Sequence, residues 1–164
     1  FNVVTPVQLA NAVATLANGG TRFAPRLLYA EKHAGHEQAR KARAPFAGQV
    51  PVVDPGNWQL VEEGMQRVVH GERGTARAIA PEDGLLIAGK SGPAQVAAQA
   101  QAEDMDENTA THLRHHALFV AYAPVEQPTI AVAAVVEHGG GGSREAAPVA
   151  RAVIDAWLKQ EIAR

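Results

Sequence analysis

Cysteine is absent from the 164 residues, which excludes disulfide bonds, thiol catalysis and thiolate metal ligands. A large excess of one charge is also lacking: 15 basic and 17 acidic residues give a formal net charge of −2, so the chain has no electrostatic footprint for nucleic acid. No apolar run approaches the length of a membrane span. The sequence therefore predicts neither a nucleic-acid partner nor a membrane-spanning segment within these residues.

The composition is typical of a globular protein, with 46% hydrophobic and 20% charged residues. At this length we expect one hydrophobic core and a single body rather than two domains. The chain begins at Phe1 rather than at a methionine. We therefore expect residues 1–164 to be a portion of a larger protein.

Three segments predict helices. The first begins at Thr5, which can cap free N–H groups, and Pro6 and Gln8 suit the first turn of a helix with a capping box. The second follows a turn at residues 54–57 and closes at Gly71, and the third begins at Ala146. The residues expected to face the core are Leu9, Val13, Leu16 and Ala17, then Trp58, Val61, Met65, Val68 and Val69, and finally Val149, Val153, Ile154, Trp157 and Leu158.

Three apolar runs predict strands, at residues 85–88, 113–123 and 129–137. The short connection between the last two makes them antiparallel neighbours. Because residues 130–136 are apolar at every position, we expect this strand to lie centrally with both faces covered. Together these elements predict an α+β fold, in which an antiparallel sheet of at least three strands is covered by helices.

The stretch at residues 84–95 joins an apolar run to a turn of small residues with one lysine and one hydroxyl. It matches the phosphate-binding pattern G-x-x-x-x-G-K-[ST] formally, through Gly84, Gly89, Lys90 and Ser91. A phosphate-binding loop also needs a bare glycine-rich loop and a helix that starts at the lysine. Here the intervening residues are apolar and a Gly-Pro pair follows, so a nucleotide-binding protein is kept only as a remote alternative.

The segment Lys90-Ser91-Gly92-Pro93-Ala94-Gln95 resembles the third motif, K-[ST]-G-T-A-Q, of the class B penicillin-binding proteins, a family of serine acyl-enzymes. The resemblance covers nearly the whole chain in one register. Its other parts are the Thr-Pro-Val-Gln-Leu-Ala stretch at residues 5–10, residues 58–76 with their Gly-Met and Gly-Thr-Ala pieces, and residues 118–124, 136–140 and 147–151. The chain is most similar to the elongation-type members of that family.

This resemblance implies that residues 1–164 are the C-terminal portion of a transpeptidase domain with the penicillin-binding-protein/serine β-lactamase-like fold. It implies acyl transfer, in which a serine attacks the D-Ala-D-Ala carbonyl of a peptidoglycan stem peptide and an amine from a neighbouring stem resolves the acyl-enzyme. β-Lactam antibiotics would acylate the same serine. The implied partners are stem peptides, β-lactams and the SEDS-family glycan polymerase of the elongation complex, on the periplasmic side of the bacterial inner membrane, and no cofactor is implied.

The same resemblance gives the motif its roles. Lys90 would supply positive charge near the substrate carboxylate, and Ser91 would add a hydroxyl to the same network. Gly92 would keep the strand open to a substrate that lies along it as an extra strand. The implied catalytic residues are Lys90 and Ser91, and the implied substrate-binding residues are Lys90, Ser91, Gly92, Pro93, Ala94 and Gln95.

Two departures from the family pattern bear on activity. The nucleophile motif S-x-x-K and the second motif S-x-N have no counterpart here in the matching register, so the chain is expected to lack the catalytic serine. Pro93 stands where the family has a threonine whose hydroxyl contacts a carboxylate and whose N–H is the second oxyanion donor, and proline supplies neither. Proline is tolerated there if the strand is an edge strand. A second possible function is therefore that of a non-catalytic homologue that scaffolds the elongation machinery.

Other candidate sites have simpler interpretations. His33 and His36 could suggest a metal site, but this pair lacks a third ligand. His112, His115 and His116 could suggest another, but side chains at a strand entrance alternate between the two faces. Residues 99–108 lack the spacing of a calcium loop, although they include Glu103, Asp104, Asp106 and Glu107. The glycines at 139–142 could cradle an anion, but a flexible approach to the last helix is the simpler interpretation. We predict no metal site.

Overall fold

The structure is a computed structural model, and it describes residues 3–35, 40–95 and 114–162. The helices are α1 Pro6–Ala17, α2 Gly56–His70 and α3 Ala147–Ile162, with a 3-10 turn at Arg77–Ile79 and a π-helical turn at Gly142–Ala146. The strands are β1 Thr21–Phe23, β2 Ala30–Glu31, β3 Arg40–Lys41, β4 Phe46–Gln49, β5 Ala88–Ala94, β6 His116–Ala123 and β7 Ile130–Val136. His36, His112 and the acidic residues at 103–107 lie outside the described residues.

The main sheet is antiparallel and has the order β5-β6-β7. Strands β1 and β4 form a separate antiparallel pair, and β2 pairs with β3. The predicted α+β fold with an antiparallel sheet of at least three strands is confirmed, as is the antiparallel pairing of the last two strands. Below, "the sheet" means β5, β6 and β7.

The predicted central position of the strand at 130–136 is wrong, because β6 is the middle strand and β7 lies at the edge of the described sheet. The apolar character of β7 has another cause. Helices α1 and α3 contact it from opposite sides, so both of its faces are covered although it has only one described neighbour.

The hydrophobic core is divided by the sheet. On one face, Phe119 and Ile154 are fully buried together with the alanines of β6 and of α3. On the other face, Tyr122 packs with Val13 of α1 and Met65 of α2. The chain therefore forms a helix–sheet–helix sandwich with the sheet as the middle layer.

The first helix begins as predicted. Thr5 Oγ1 accepts a hydrogen bond from the backbone N of Gln8 at 3.2 Å, and the side chain of Gln8 accepts one from the backbone N of Thr5 at 2.8 Å. This capping box satisfies two N–H groups that the helix cannot satisfy itself. The Pro6 ring occupies the first helical position, where its missing N–H costs nothing.

The predicted core face of the last helix is only partly right. Ala147, Ala150 and Ile154 are fully buried, whereas Val153 is 45% exposed and Trp157 is only partly buried. The spacing of three and four residues places the alanines and Ile154 on one stripe, and Val153 lies on the adjoining stripe. Since the alanines bring the helix backbone close to the sheet, the larger side chains of Val153 and Trp157 lie at the side of the helix–sheet contact. Trp157 Nε1 lies there, 3.3 Å from Thr129 Oγ1.

The strand predicted at residues 85–88 begins three residues later, at Ala88, and continues to Ala94. Residues 85–87 have other hydrogen-bond partners: Leu85 N donates to Asp83 Oδ1 at 3.2 Å, and Ile87 N donates to His70 Nε2 at 3.0 Å. The apolar run thus leads into the strand, and the strand itself carries the small and polar residues that follow.

Candidate functional site

The Lys-Ser-Gly segment lies in the middle of β5, which is an edge strand of the described sheet. Lys90 is opposite Val120, Ser91 is opposite Phe119 and Gly92 is opposite Leu118. No other described strand pairs with the second side of β5, so its backbone there is open to a ligand that would extend the sheet.

Pro93 is exposed and lies opposite Ala117 in an uninterrupted register. In an antiparallel pair, successive residues direct their N–H and C=O groups alternately toward the partner strand and away from it. A proline fits such a ladder only where its nitrogen faces away from the partner. The backbone groups of Ser91 and Pro93 therefore face away from β6. At residue 93 only the carbonyl group is available there, because proline has no N–H.

Lys90 lies beside a groove of about 540 Å³ between α1, α2 and the sheet. Apart from Lys90 the lining is apolar, consisting of Leu9, Ala12, Val13, Leu16, Val61, Gly64, Met65, Val68 and Val120. The ammonium group donates a hydrogen bond to the carbonyl oxygen of Ser91. The exposed cation is thus held along the strand, at the mouth of an apolar groove.

Ser91 points to the opposite face of the sheet from Lys90, because side chains alternate along a strand. Its hydroxyl lies 3.4 Å from the hydroxyl of Thr75. Thr75 stands in the turn after α2, where Ala76 N donates to Val68 O at 2.9 Å. Ser91 and Lys90 are therefore presented by opposite faces of one edge strand, and Thr75 brings a second hydroxyl to the Ser91 side from the turn after α2.

Gly142 permits close packing behind this strand, and Gly74 permits the turn that carries Thr75 to pack against the end of α2. A Cβ at Gly74 would lie 2.5 Å from the carbonyl oxygen of Val68. A Cβ at Gly142 would lie 2.2 Å from the carbonyl oxygen of Leu118 and 3.0 Å from the backbone nitrogen of Gly92. The π-helical turn thus packs directly against the β5–β6 pair, and a side chain at either position would push the backbones apart.

Sequence reasoning missed the contributions of Thr75 and Gly142. Thr75 is 16 residues from Ser91, and the only local signal for it was the Gly-Thr-Ala piece of the resemblance. The sequence favours a flexible approach to the helix at the glycines 139–142, but Gly142 is buried against two strands. Their positions depend on tertiary packing, which no local pattern encodes.

Tyr122 lies on the α1–α2 face of the sheet, on the same face as Lys90. Its hydroxyl is buried and makes no hydrogen bond of ordinary geometry within the described residues, although the carboxylate of Glu62 lies close enough to interact with it. Burial raises the pKa of this phenol above its ordinary value, and the nearby negative charge of Glu62 raises it further. Tyr122 is therefore neutral at physiological pH, and it contributes bulk rather than charge to this face.

The described residues contain no group of three or more His, Cys, Asp or Glu side chains that could hold a metal ion. His116 instead contacts His138, with ring centroids 4.9 Å apart, and its Nδ1 accepts a hydrogen bond from the backbone N of His138 at 3.0 Å. Among the described helices, none combines the length and the apolar character that crossing a bilayer requires. The site rests on Lys90, the two hydroxyls and the open strand edge.

The geometry differs from that of a phosphate-binding loop. Lys90 and Ser91 lie inside a strand, and residues 92–94 continue that strand where such a loop would require a helix. The formal match to the nucleotide-binding pattern is therefore coincidental.

A helix-covered antiparallel sheet with a Lys-Ser-Gly edge strand defines the class of α+β domains to which the penicillin-binding and serine β-lactamase-like folds belong. The family model described as "Penicillin binding protein transpeptidase domain" matches residues 3–155. The chain belongs to this family.

Individual relatives agree with that assignment. The peptidoglycan D,D-transpeptidase MrdA of Haemophilus influenzae is 37% identical over 161 residues, which are 96% of this chain and 24% of that protein. The crystal structure of Pseudomonas aeruginosa PBP2 in complex with WCK 5153 is 43% identical, with a TM-score of 0.72, over 94% of this chain and 30% of the other. The imipenem acyl-enzyme complex of Mycobacterium tuberculosis penicillin-binding protein A is 29% identical, with a TM-score of 0.69, over 94% and 31%. The chain spans about a quarter of the length of the curated relatives it matches.

Proposed function

We propose that residues 1–164 are the C-terminal portion of a transpeptidase domain, and that the longer protein containing them is a peptidoglycan D,D-transpeptidase. This portion supplies the Lys-Ser-Gly strand, and the part of the domain that precedes it supplies the nucleophilic serine. The observation that carries the proposal is the placement of Lys90 and Ser91 on an edge strand whose second side is unpaired within the described residues. The similarity to MrdA proteins along 96% of the chain supports the same assignment.

The open edge of β5 suits a peptide-like substrate. A stem peptide that ends in D-Ala-D-Ala has amide groups that can pair with the outward-facing backbone of Ser91 and the carbonyl of Pro93, as an added strand would. The Lys90 ammonium group supplies positive charge for the terminal carboxylate, and the Ser91 hydroxyl offers a hydrogen bond beside it. β-Lactams carry a comparable carboxylate, and the mycobacterial relative forms an acyl-enzyme with imipenem.

The acyl transfer proceeds by attack of the serine on the penultimate D-Ala carbonyl, loss of the terminal D-Ala and attack by an amine from a second stem peptide. Residues 90–92 position the substrate for each step and leave the bond-making to the upstream serine. Ala94 is the last residue of the strand and Gln95 follows it, and together they complete the proposed substrate-binding stretch. The developing oxyanion receives no donor from residue 93, because that residue is proline.

We place this activity on the periplasmic side of the bacterial inner membrane, where peptidoglycan stems are cross-linked. A SEDS-family glycan polymerase of the elongation complex is the proposed partner, since relatives that match 94% to 96% of this chain are named MrdA.

A non-catalytic homologue is the second candidate function, and the observation that favours it is Pro93 at an outward-facing position of β5. Intact mass spectrometry after incubation with penicillin G separates the two. The longer protein should gain the mass of one penicillin, and the isolated 164-residue chain should gain none. A longer protein that stays unmodified under conditions that acylate a control penicillin-binding protein would identify a scaffold.

A matched pair of variants tests the role of the strand. Lys90→Ala in the longer protein should slow acylation, whereas Lys32→Ala, which changes an exposed lysine in the region of the small strands, should not. Equal acylation rates for the Lys90→Ala variant and the unmodified protein would show that Lys90 has no role in acylation.

A further inference from the structure

Two hydroxyl groups come together at the open edge of β5. Thr75 Oγ1 lies 3.4 Å from Ser91 Oγ, although the two residues are 16 positions apart in the sequence. An O–H···O hydrogen bond normally spans about 2.5 to 3.0 Å. Because the separation is longer than that, the two hydroxyls do not form a tight pair, and their protons can turn toward a third group beside them.

The position of Thr75 is set by the residues on either side of it. A Cβ at Gly74 would lie 2.5 Å from the carbonyl oxygen of Val68, and the fully buried Ala76 donates its N–H to the same oxygen at 2.9 Å. Thr75 itself is exposed. Since a β-branched side chain has few rotamers, its hydroxyl is held at the surface beside Ser91 and has little freedom to lose when a ligand binds.

A positive charge lies at the same point of the strand. The Lys90 ammonium group donates a hydrogen bond to the carbonyl oxygen of Ser91, and that carbonyl faces away from β6. The ammonium group therefore reaches the outer edge of β5 at residue 91, where the two hydroxyls meet. Within the described residues, no carboxylate forms an ion pair with Lys90. One cation and two hydroxyls thus stand together, as in a site for an anion.

The next side chain on this face of β5 offers no further donor. Ser91 and Pro93 lie on the same face, opposite Phe119 and Ala117 of β6. Proline has neither a hydroxyl nor an N–H. A second neutral donor beside Ser91 therefore has to come from a neighbouring element, and the turn after α2 supplies it through Thr75.

We propose that Thr75 is a further substrate-binding residue, whose hydroxyl donates together with that of Ser91 to the two oxygens of the substrate carboxylate. The proposal rests on the transpeptidase function proposed above, in which Lys90 and Ser91 bind that carboxylate. A carboxylate accepts hydrogen bonds through both oxygens, and hydrogen bonds to a charged acceptor are stronger than those to a neutral one. Thr75 holds the carboxylate equally before and during attack by the serine, so it contributes to binding rather than to bond-making.

Acylation of the longer protein by penicillin G and by its methyl ester tests the proposal, since only the free acid carries the charged carboxylate. Thr75→Val removes the hydroxyl but keeps a β-branched side chain. With the free acid, the dissociation constant of the initial complex should rise about 3-fold to 10-fold, the usual effect of losing one hydrogen bond, while the limiting acylation rate stays unchanged. With the ester, whose neutral oxygens accept more weakly, the difference between variant and unmodified protein should be clearly smaller.

Two control variants separate carboxylate binding from a structural role. Thr75→Ser keeps a hydroxyl and should retain the affinity for the free acid. Thr21→Val removes a hydroxyl from β1, where it donates to Gln49 Oε1, and should behave as the unmodified protein does. If Thr75→Val binds the free acid as well as the unmodified protein, or if it weakens the acid and the ester equally, the proposal is overturned.

An NMR titration of the 164-residue chain provides a measurement that does not involve acylation. The probes are acetyl-D-Ala-D-Ala and the same peptide with a C-terminal amide. The amide signal of Ser91 and the methyl signal of Thr75 should shift with the peptide acid and not with the peptide amide, and Thr75→Val should reduce the shift at Ser91. Shifts that are absent, or equal for the two peptides, would contradict carboxylate binding by Thr75.

The two experiments fail in different ways. A longer protein that is not acylated by penicillin G contradicts the transpeptidase function, and the peptide titration then decides the role of Thr75 by itself. A longer protein that is acylated equally well with and without the Thr75 hydroxyl contradicts the role of Thr75 alone.

Discussion

Replacement of Pro93 by threonine should accelerate acylation of the longer protein. Pro93 is exposed, sits on the open side of β5 and has its nitrogen directed away from β6. In the family pattern, the N–H at this position is the second donor to the oxyanion. Loss of one such donor typically costs about 100-fold to 1,000-fold in rate, or roughly 3 to 4 kcal/mol of transition-state stabilisation.

The unmodified protein and two variants at residue 93 separate the contribution of the N–H from that of the hydroxyl. Pro93→Ala restores the N–H without the hydroxyl, and Pro93→Thr restores both. We therefore expect most of the gain in the alanine variant and a further increase in the threonine variant, while Pro51→Ala, in an exposed loop, should leave the rate unchanged. The assay is stopped-flow acylation by a fluorescent penicillin, with the second-order rate constant compared at one pH.

The result that would refute this reasoning is a proline protein that reacts as fast as both variants. Either the register at residue 93 would then differ from the pairing with Ala117, or another group would donate to the oxyanion.

The remaining predictions concern stability, measured by urea unfolding of the 164-residue chain. Ile154→Ala should cost about 2 to 5 kcal/mol because Ile154 is fully buried, whereas Val153→Ala, at a 45% exposed position, should cost less than about 1 kcal/mol; equal losses would contradict the assigned helix face. Gly142→Ala should cost about 1 to 3 kcal/mol because its Cβ would lie 2.2 Å from a β6 carbonyl oxygen, and Gly64→Ala, with no atom within 4 Å, should instead stabilise α2 by about 0.5 to 1 kcal/mol. Tyr122→Phe should leave stability unchanged or raise it, since its buried hydroxyl makes no hydrogen bond of ordinary geometry within the described residues, and a loss above about 1 kcal/mol would show that the hydroxyl donates to Glu62.

The parts of the fold that could be predicted depend on local signals. The capping box of Thr5 and Gln8 determines where α1 begins, and the proline turn and the short connection between β6 and β7 determine that they pair as neighbours. The third motif is recognisable as six consecutive residues, and the structure places Lys90 to Ala94 on one strand. These features involve residues close together in the sequence, where propensity and pattern act directly.

The features that could not be predicted depend on packing between distant segments. An apolar strand has both faces covered, but its composition does not say whether strands lie on both of its edges, and β7 lies at an edge of the described sheet. Similarly, Val153 and Ile154 are equally apolar, and only the close approach of Ala147 and Ala150 to the sheet decides which of them is buried. The same limit applies to Thr75 and Gly142, whose partners are on other elements.

The central claim is that β5 forms one wall of an acyl-enzyme site, and a crystal structure of the longer protein after reaction with penicillin G tests it most directly. The account predicts that the drug is bound covalently to an upstream serine, that its carboxylate lies within hydrogen-bond distance of Lys90 Nζ or Ser91 Oγ, and that its amide lies along the open edge of β5. A drug that is bound covalently elsewhere, with the edge of β5 covered by another strand of the protein, would contradict the account.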